Sequence, residues 1–209
     1  MKLPAFSFAF LFAATMLHAQ APAGDGKARI IVDIKRVEVK EQQTPQFAVG
    51  NINDKRWRPK NWIEVDVEFD IKLPPEAGGR DGTFPAMQMN IYLALQHMTK
   101  DGKREVLQGT LDLINIPADG PCHALAYVSP ATMKNIFQKN TVTASTDVQG
   151  WGVEVMIDGE RRAQAASIGR DPWWEKQENF AIMSGMVLSK SKTPFAPLWG
   201  DYDVQVQPK

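Results

Sequence analysis

Apolar and charged residues alternate without interruption from Trp62 to Leu73, in the sequence W-I-E-V-D-V-E-F-D-I-K-L. Successive side chains of a β-strand point to opposite faces, so the pattern predicts a long strand with one apolar face. We expect the odd-numbered residues from Ile63 to Leu73 to lie in a core and the charged residues between them to face water. A helix is excluded because a period of two scatters apolar groups around its circumference.

The same period of two recurs along the chain and predicts roughly eight or nine strands at the spacing of a β-sandwich. The first strand changes phase near Lys35-Arg36, which indicates a β-bulge. No helical segments alternate with the strands, so we expect an antiparallel, all-β fold. The predicted strands are Arg29–Lys40, Trp62–Leu73, Met87–Leu95, Arg104–Ile116, Cys122–Val128, Val142–Ile157, Arg161–Ile168, Phe180–Leu188 and Asp201–Val206.

Turn and cap residues separate these strands. Thr99–Gly102 and Asp158-Gly159 predict hairpin turns. Ser129-Pro130 predicts the N-terminus of one short helix, which ends near Gln138. Gly109 lies inside a predicted strand, where a glycine indicates a bulge or a close approach of another segment.

The N-terminal residues have the three parts of a secretory signal peptide. Lys2 precedes an apolar run from Phe6 to Leu17, and small residues follow around Ala19. We predict a signal peptide at 1–19, a flexible lead-in at 20–28 and a single β-sandwich domain at 29–209. The protein would then be exported to the periplasm, the outer membrane or the cell surface. A membrane anchor is the alternative, but the apolar run is shorter than the about 20 residues that span a bilayer.

Composition excludes some classes of partner. The 24 basic and 24 acidic residues give a formal net charge of +0. Non-specific nucleic-acid binding requires a concentrated positive field, so we expect no nucleic acid as a partner. Cys122 is the single cysteine of the chain, so it has no partner for an internal disulfide. We expect it to be buried and inert, the alternative being a reactive or intermolecular thiol.

The sequence offers few residues for catalysis or metal binding. His97 and His123 lie on different predicted strands, and neither has a ligand or carboxylate partner at a suitable spacing on its own strand face. The acidic row of the Trp62–Leu73 strand is spaced along a line, whereas a calcium site needs oxygens that converge on one point. Ser189–Lys192 matches S-x-x-K but follows a strand and lacks the companion motifs of an acylating serine. We therefore predict no catalytic residues, no metal, no cofactor and no enzymatic activity.

Tryptophans are the better candidates for a binding surface. Trp57, Trp173, Trp174 and Trp199 are all assigned to loops or outward positions, and we predict that they contact a partner. The loop Asp171–Glu175 is the first choice, because it projects from an end of the sandwich and Pro172 restricts its backbone. Two alternatives remain open: the indoles cap the core, or they form a platform for sugars.

Two segments carry a family resemblance. W-I-E-V-D-V-E-F near the start and L-S-K-S-K-T-P-F-A-P-L-W-G-D-Y-D-V near the C-terminus resemble small exported proteins of Verrucomicrobia-type, mucin-associated bacteria. The resemblance implies an immunoglobulin-like antiparallel β-sandwich, here with one short helix, and an association with type IV pilus components. The chain lacks the retained apolar N-terminal helix of a true type IV pilin, so an accessory protein fits better than the pilin subunit.

These observations predict a non-enzymatic protein of the cell envelope that acts through protein–protein assembly, as an accessory component of a type IV pilus-like system. Its expected partners are envelope or pilus proteins and further copies of itself in a homo-oligomer. The alternative is a carbohydrate-binding surface module, for which the partner is a glycan.

Overall fold

The computed structural model describes residues 30–48, 50, 55–169, 172–176 and 178–208. The predicted signal peptide (1–19) and lead-in (20–28) lie outside these residues. Two sheets face each other, and the all-β sandwich predicted from the sequence is confirmed. Within the described ranges, no helix combines the length and the apolar character needed to cross a membrane.

The first sheet has the strand order β1-β2-β5-β9, and the second has the order β7-β6-β3-β4-β8. Two short helices join strands: α1 before β6, and the single turn α2 directly at its start. The elements are β1 (Ile31–Gln43), β2 (Asn61–Lys72), β3 (Thr83–Met98), β4 (Arg104–Pro117), β5 (Cys122–Val128), α1 (Pro130–Phe137), α2 (Ala144–Asp147), β6 (Val148–Ile157), β7 (Glu160–Ala166), β8 (Phe180–Ser184) and β9 (Leu188–Ser189).

The core lies between the sheets and is built from the alternating positions seen in the sequence. The odd-numbered residues of β2 from Ile63 to Ile71 are buried, and so are those of β3 from Met87 to Leu95. Both strands are central in their sheets, so their apolar faces meet across the sandwich. The predicted inner faces of these two strands are therefore confirmed.

Several local predictions are confirmed by the backbone. The pairing of β1 with β2 shifts register between Ile34 and Arg36, as a bulge requires. Asp158 and Gly159 both have positive φ, the conformation of the hairpin turn between β6 and β7. The Ser129 hydroxyl accepts a hydrogen bond from the Thr132 N–H at 3.0 Å and caps α1.

Three predicted strands differ from the structure. The strand predicted from Val142 begins only at Val148, because 144–147 forms the helical turn α2. The strand predicted over Phe180–Leu188 is divided: β8 pairs parallel with β4, and the chain then crosses to the first sheet as β9. The strand predicted over Asp201–Val206 reduces to a single bridge between Leu113 and Val206.

The crossing from β8 to β9 explains the glycine inside β4. A Cβ at Gly109 would lie 2.1 Å from the Val187 carbonyl oxygen, and the N–H groups of Met186 and Val187 both point to the Gln108 carbonyl. The chain therefore passes directly over Gly109, which is the close approach expected from the sequence.

We predict that Gly109→Ala lowers the free energy of unfolding by about 1–3 kcal/mol, the usual cost of overpacking. The obstacle is backbone, so it cannot move aside as a flexible side chain would. Gly120→Ala is the matched control, because a Cβ there meets nothing within 4 Å. Thermal melts of the two variants test this, and equal melting temperatures would contradict the assignment.

Candidate functional site

The segment after β9 folds back over the outer face of the first sheet. Phe195 is fully buried there, with its ring stacked on Tyr127 of β5 at 4.5 Å between centroids. The Lys190 ammonium forms a buried ion pair with Asp203 and donates to the Trp199 carbonyl at 3.2 Å. These contacts join both ends of the segment, so it is a fixed part of the fold rather than a loose terminus.

Trp199 and Tyr202 project from this segment, with 43% and 45% of their surfaces exposed. Trp199 has a φ of +53°, a left-handed conformation that costs a bulky residue about 1–3 kcal/mol. The Tyr202 N–H donates to the Trp199 carbonyl at 3.0 Å, and Lys190 donates to the same oxygen. The surrounding contacts therefore hold a strained backbone in place and keep a large ring at the surface.

Two carboxylates of β2 lie beneath these rings. Asp66 accepts hydrogen bonds from the Tyr202 hydroxyl at 2.7 Å and at its other oxygen lies 2.9 Å from His123 Nδ1. The His123 ring also stacks on Tyr202 at 4.3 Å. Burial, followed by the hydrogen bond to Asp66, raises the pKa of the Tyr202 hydroxyl, which therefore stays protonated as a donor.

The second carboxylate, Glu64, is only 3% exposed. Its Oε1 lies 3.3 Å from the Lys40 ammonium, whereas its Oε2 has no ion-pair partner among the described residues. The Tyr127 hydroxyl, which is likewise buried and has no other partner among the described residues, is the donor beside this carboxylate. Burial, followed by the hydrogen bond to Glu64, raises the pKa of Tyr127.

These groups line a cavity of about 150 Å³ that opens on the outer face of the first sheet. We call it the Trp199 pocket. Its lining residues are Lys40, Gln42, Glu64, Asp66, Leu125, Trp199 and Tyr202. Aromatic rings, buried carboxylates and one ammonium group thus meet in a space the size of a side chain.

The structure corrects one expectation about these residues. The acidic face of β2 was expected in water, but Glu64 and Asp66 are buried beneath the returning C-terminal segment. The two histidines do find carboxylate partners, His123 at Asp66 and His97, whose Nδ1 lies 2.6 Å from Glu105. Each partner belongs to a neighbouring strand, so spacing within one strand could not reveal it.

The four predicted partner-binding tryptophans separate into two groups. Trp173 and Trp174 are buried on the outer face of the second sheet, so their predicted exposure is wrong. Trp174 stacks on Tyr92 at 4.9 Å and fills the space above Gly152, where a Cβ would lie 2.2 Å from the indole. Asp171, which begins this loop, lies outside the described residues. Trp57 and Trp199 are exposed, but only Trp199 lines the pocket.

The other side chains that the sequence singled out for possible reactivity are Cys122 and those of the S-x-x-K segment. Cys122 is buried, and burial, with smaller contributions from Asp70 and Asp119, raises the pKa of its thiol to about 11. In the S-x-x-K segment Ser189–Lys192, Lys190 is the lysine that pairs with Asp203. Over the described ranges, no three His, Cys, Asp or Glu side chains gather to hold a metal ion.

The fold and this outer surface define a two-sheet β-sandwich with a covered acidic face. One family model matches residues 24–209, and the chain belongs to the family that this model describes. A crystal structure of a protein from Akkermansia muciniphila is similar, with a TM-score of 0.73 and 22% identity over 87% of this chain and 94% of that chain. That organism is one of the Verrucomicrobia, the bacterial group of the predicted resemblance. No curated protein matches the chain.

Proposed function

We propose that the protein acts in the cell envelope through protein–protein assembly, as an accessory component of a type IV pilus-like system. The observation that carries the proposal is the Trp199 pocket. Trp199 and Tyr202 are held on a fixed segment with nearly half of each ring exposed. Rings of this kind contribute contact area at little cost in conformational entropy and dominate many protein interfaces.

The residues that line the Trp199 pocket are also arranged as in a small protein interface. An aromatic and apolar centre, formed by Trp199, Tyr202 and Leu125, is bordered by the polar groups of Lys40 and Gln42. Interfaces commonly combine an apolar centre with a polar rim. The predicted signal peptide supports export and an envelope location. The assembly partner, and with it the predicted homo-oligomer, belongs to the same proposal.

A carbohydrate-binding module is the second proposal, favoured by the same pocket. Aromatic rings stack on sugars, and the carboxylates of Glu64 and Asp66 accept hydrogen bonds, which sugar hydroxyls donate. The covered carboxylates and the small volume of the pocket favour a protein side chain over a whole sugar ring, because ligand pockets generally measure about 300–1,000 Å³.

We predict that Trp199→Ala abolishes the capture of envelope partners and lowers self-association, while the melting temperature changes little. Trp199 is 43% exposed and its covered face stacks on Phe195 at the long distance of 6.4 Å between centroids, so its loss removes contact area and only a small part of the packing. Pull-down from native envelope with mass spectrometry, together with light scattering, measures both effects. Trp57→Ala is the matched control, because Trp57 is 49% exposed but lies outside the pocket. Unchanged capture by Trp199→Ala contradicts the proposal, and binding on a glycan array by the wild type but not by Trp199→Ala favours the sugar module.

A further inference from the structure

We propose that the loop between β1 and β2 docks the protein on an anionic lipid surface. The structure describes this loop at 44–48, 50 and 55–60, and we call these residues the basic loop. The basic loop contributes no residue to the Trp199 pocket, and its occupant is a phosphate-bearing lipid headgroup rather than a protein, so the inference goes beyond the proposed function. Three observations carry it: concentrated positive charge, two exposed aromatic rings and a cavity between lysines.

Positive charge is concentrated in the basic loop. Over 44–60 the sequence has four basic residues and one acidic residue, whereas the whole chain has a formal net charge of +0. All four basic side chains are exposed, and none forms an ion pair with another residue that the structure describes. Their field therefore attracts anions over a Debye length, about 8–10 Å at moderate salt. The four residues are Lys55, Arg56, Arg58 and Lys60.

Two large aromatic rings lie on the same loop. Phe47 is 55% exposed and Trp57 is 49% exposed. The Thr44 N–H donates to the Lys60 carbonyl at 2.9 Å and closes the base of the loop, just beyond the last residue pair of β1 and β2. Both rings lie beyond this base, so the loop carries them past the end of the first sheet. Tryptophan and phenylalanine beside lysine and arginine are typical of segments that lie in the headgroup region of a membrane.

A cavity of about 380 Å³ lies at the foot of the basic loop, where β2 begins beside α1. Two ammonium groups line it, Lys60 from the loop and Lys134 from α1. The other polar side chains of its lining are those of Asn61, Asn140 and Thr141, and among the described residues the lining contains no carboxylate. Its volume lies in the range of small-molecule sites, about 300–1,000 Å³. A lipid phosphate with its glycerol suits this size, and the ammonium groups supply charged donors for the phosphate oxygens.

The pairing of charge with apolar rings favours a lipid surface over other polyanions. Anionic headgroups attract lysine and arginine, while aromatic rings leave water for the headgroup boundary. An acidic protein segment would use the charges but would give the two rings no comparable apolar environment. Single-stranded nucleic acid stacks on aromatic rings, but it requires a positive groove that follows its backbone. Outside 44–60 the chain is net negative, because the whole chain has a charge of +0.

Vesicle flotation with the intact protein, as the cell produces it, tests the proposal. We expect the protein to float with vesicles of phosphatidylcholine mixed with phosphatidylglycerol, to bind pure phosphatidylcholine vesicles much less, and to leave the anionic vesicles as salt is raised. Polyglutamate and inorganic phosphate, each at constant ionic strength, test the other sources of negative charge. Polyglutamate binding as tight as vesicle binding would indicate an acidic protein partner, and displacement by inorganic phosphate would indicate a site for small anions. Either result, or equal binding to neutral vesicles, overturns the proposal.

Two variants assign the binding to the basic loop. Lys55→Gln/Lys60→Gln removes two charges, and we expect it to weaken binding to the anionic vesicles about tenfold or more. Trp57→Ala removes one ring, and we expect it to weaken the same binding about fivefold. All three side chains are exposed, so the melting temperatures should stay close to that of the wild type. Unchanged vesicle binding by either folded variant overturns the proposal.

Each variant has a matched control. Lys100→Gln/Lys192→Gln removes the same charge from two exposed lysines elsewhere in the chain, and Trp199→Ala removes an exposed ring outside the loop. The controls and the loop variants share the same N-terminal residues, so any binding by those residues is common to all. We expect both controls to bind the anionic vesicles as the wild type does. A loss equal to that of the loop variants would mean non-specific adhesion and overturns the proposal.

The results also separate this inference from the proposed function. Protein capture is measured from detergent-solubilised envelope, where the basic loop has no lipid surface to bind. If Trp199→Ala loses the envelope partner but the wild type binds no anionic vesicle, assembly stands and the lipid surface is wrong. If vesicle binding depends on Trp57 and the two lysines but no envelope protein is captured, the lipid surface stands and the assembly role is wrong.

Discussion

Replacing Phe69 with alanine is expected to lower the free energy of unfolding by about 3–5 kcal/mol, the usual cost of truncating a buried phenylalanine. Phe69 is fully buried in β2, the strand that pairs with both β1 and β5. Its direct neighbours across the sheet are Ile34 and Cys122. The side chain therefore fills the middle of the core, where loss of a ring leaves a cavity that its neighbours cannot close.

Denaturant unfolding of Phe69→Ala beside Glu68→Gln measures this effect. Glu68 lies on the opposite face of β2, partly exposed, and is 3.3 Å from Arg36. Surface ion pairs contribute only about 0–1 kcal/mol, so the control should change stability little. Equal losses in the two variants would show that the facing of β2 is misassigned.

The second large effect is expected from the double change Trp173→Ala/Trp174→Ala. Each indole is buried on the outer face of the second sheet, and truncation of a buried tryptophan costs about 3–5 kcal/mol. The two rings contact each other edge to face at 5.3 Å between centroids, so their effects should not simply add. We expect a melting temperature far below that of the wild type, with self-association retained wherever the variant is folded.

This experiment also decides between the two interpretations of the Asp171–Glu175 loop. Trp57→Ala serves as the control for removing an indole, since its ring is exposed. A preserved melting temperature with lost association would restore the loop as the partner-binding site. A large fall in melting temperature with association intact assigns both rings to the core of the protein.

The sandwich could be predicted because its determinants are local. Alternation in β2 and β3 gives the facing of each strand, and Asp158-Gly159 and Ser129-Pro130 are short-range signals for a turn and a helix start. The helical turn at 144–147 lacks comparable periodicity, which explains why β6 was predicted to start at Val142. β8 also shows no local sign that its neighbour β4 runs parallel, because strand orientation depends on the path of the connecting chain.

The candidate site could be predicted only in part. Trp199 was identified from its type and position, but the pairing of Asp66 with His123 and Tyr202 depends on three separate segments. Trp173 and Trp174 were placed at the surface because their loop lies between strands and was expected to project from an end of the sandwich. Their burial depends on the small residue Gly152, which leaves room for Trp174 on the face of the second sheet.

The return of the C-terminal segment over β2 has a consequence for the order of folding. Asp66 and Tyr202, which bond directly in the pocket, are 136 residues apart along the chain. Contacts of such long sequence separation carry a large loop-closure cost and tend to form late. The Trp199 pocket is thus completed only after the sandwich beneath it is assembled, and a nascent chain from which Tyr202 has not yet emerged lacks the closed pocket.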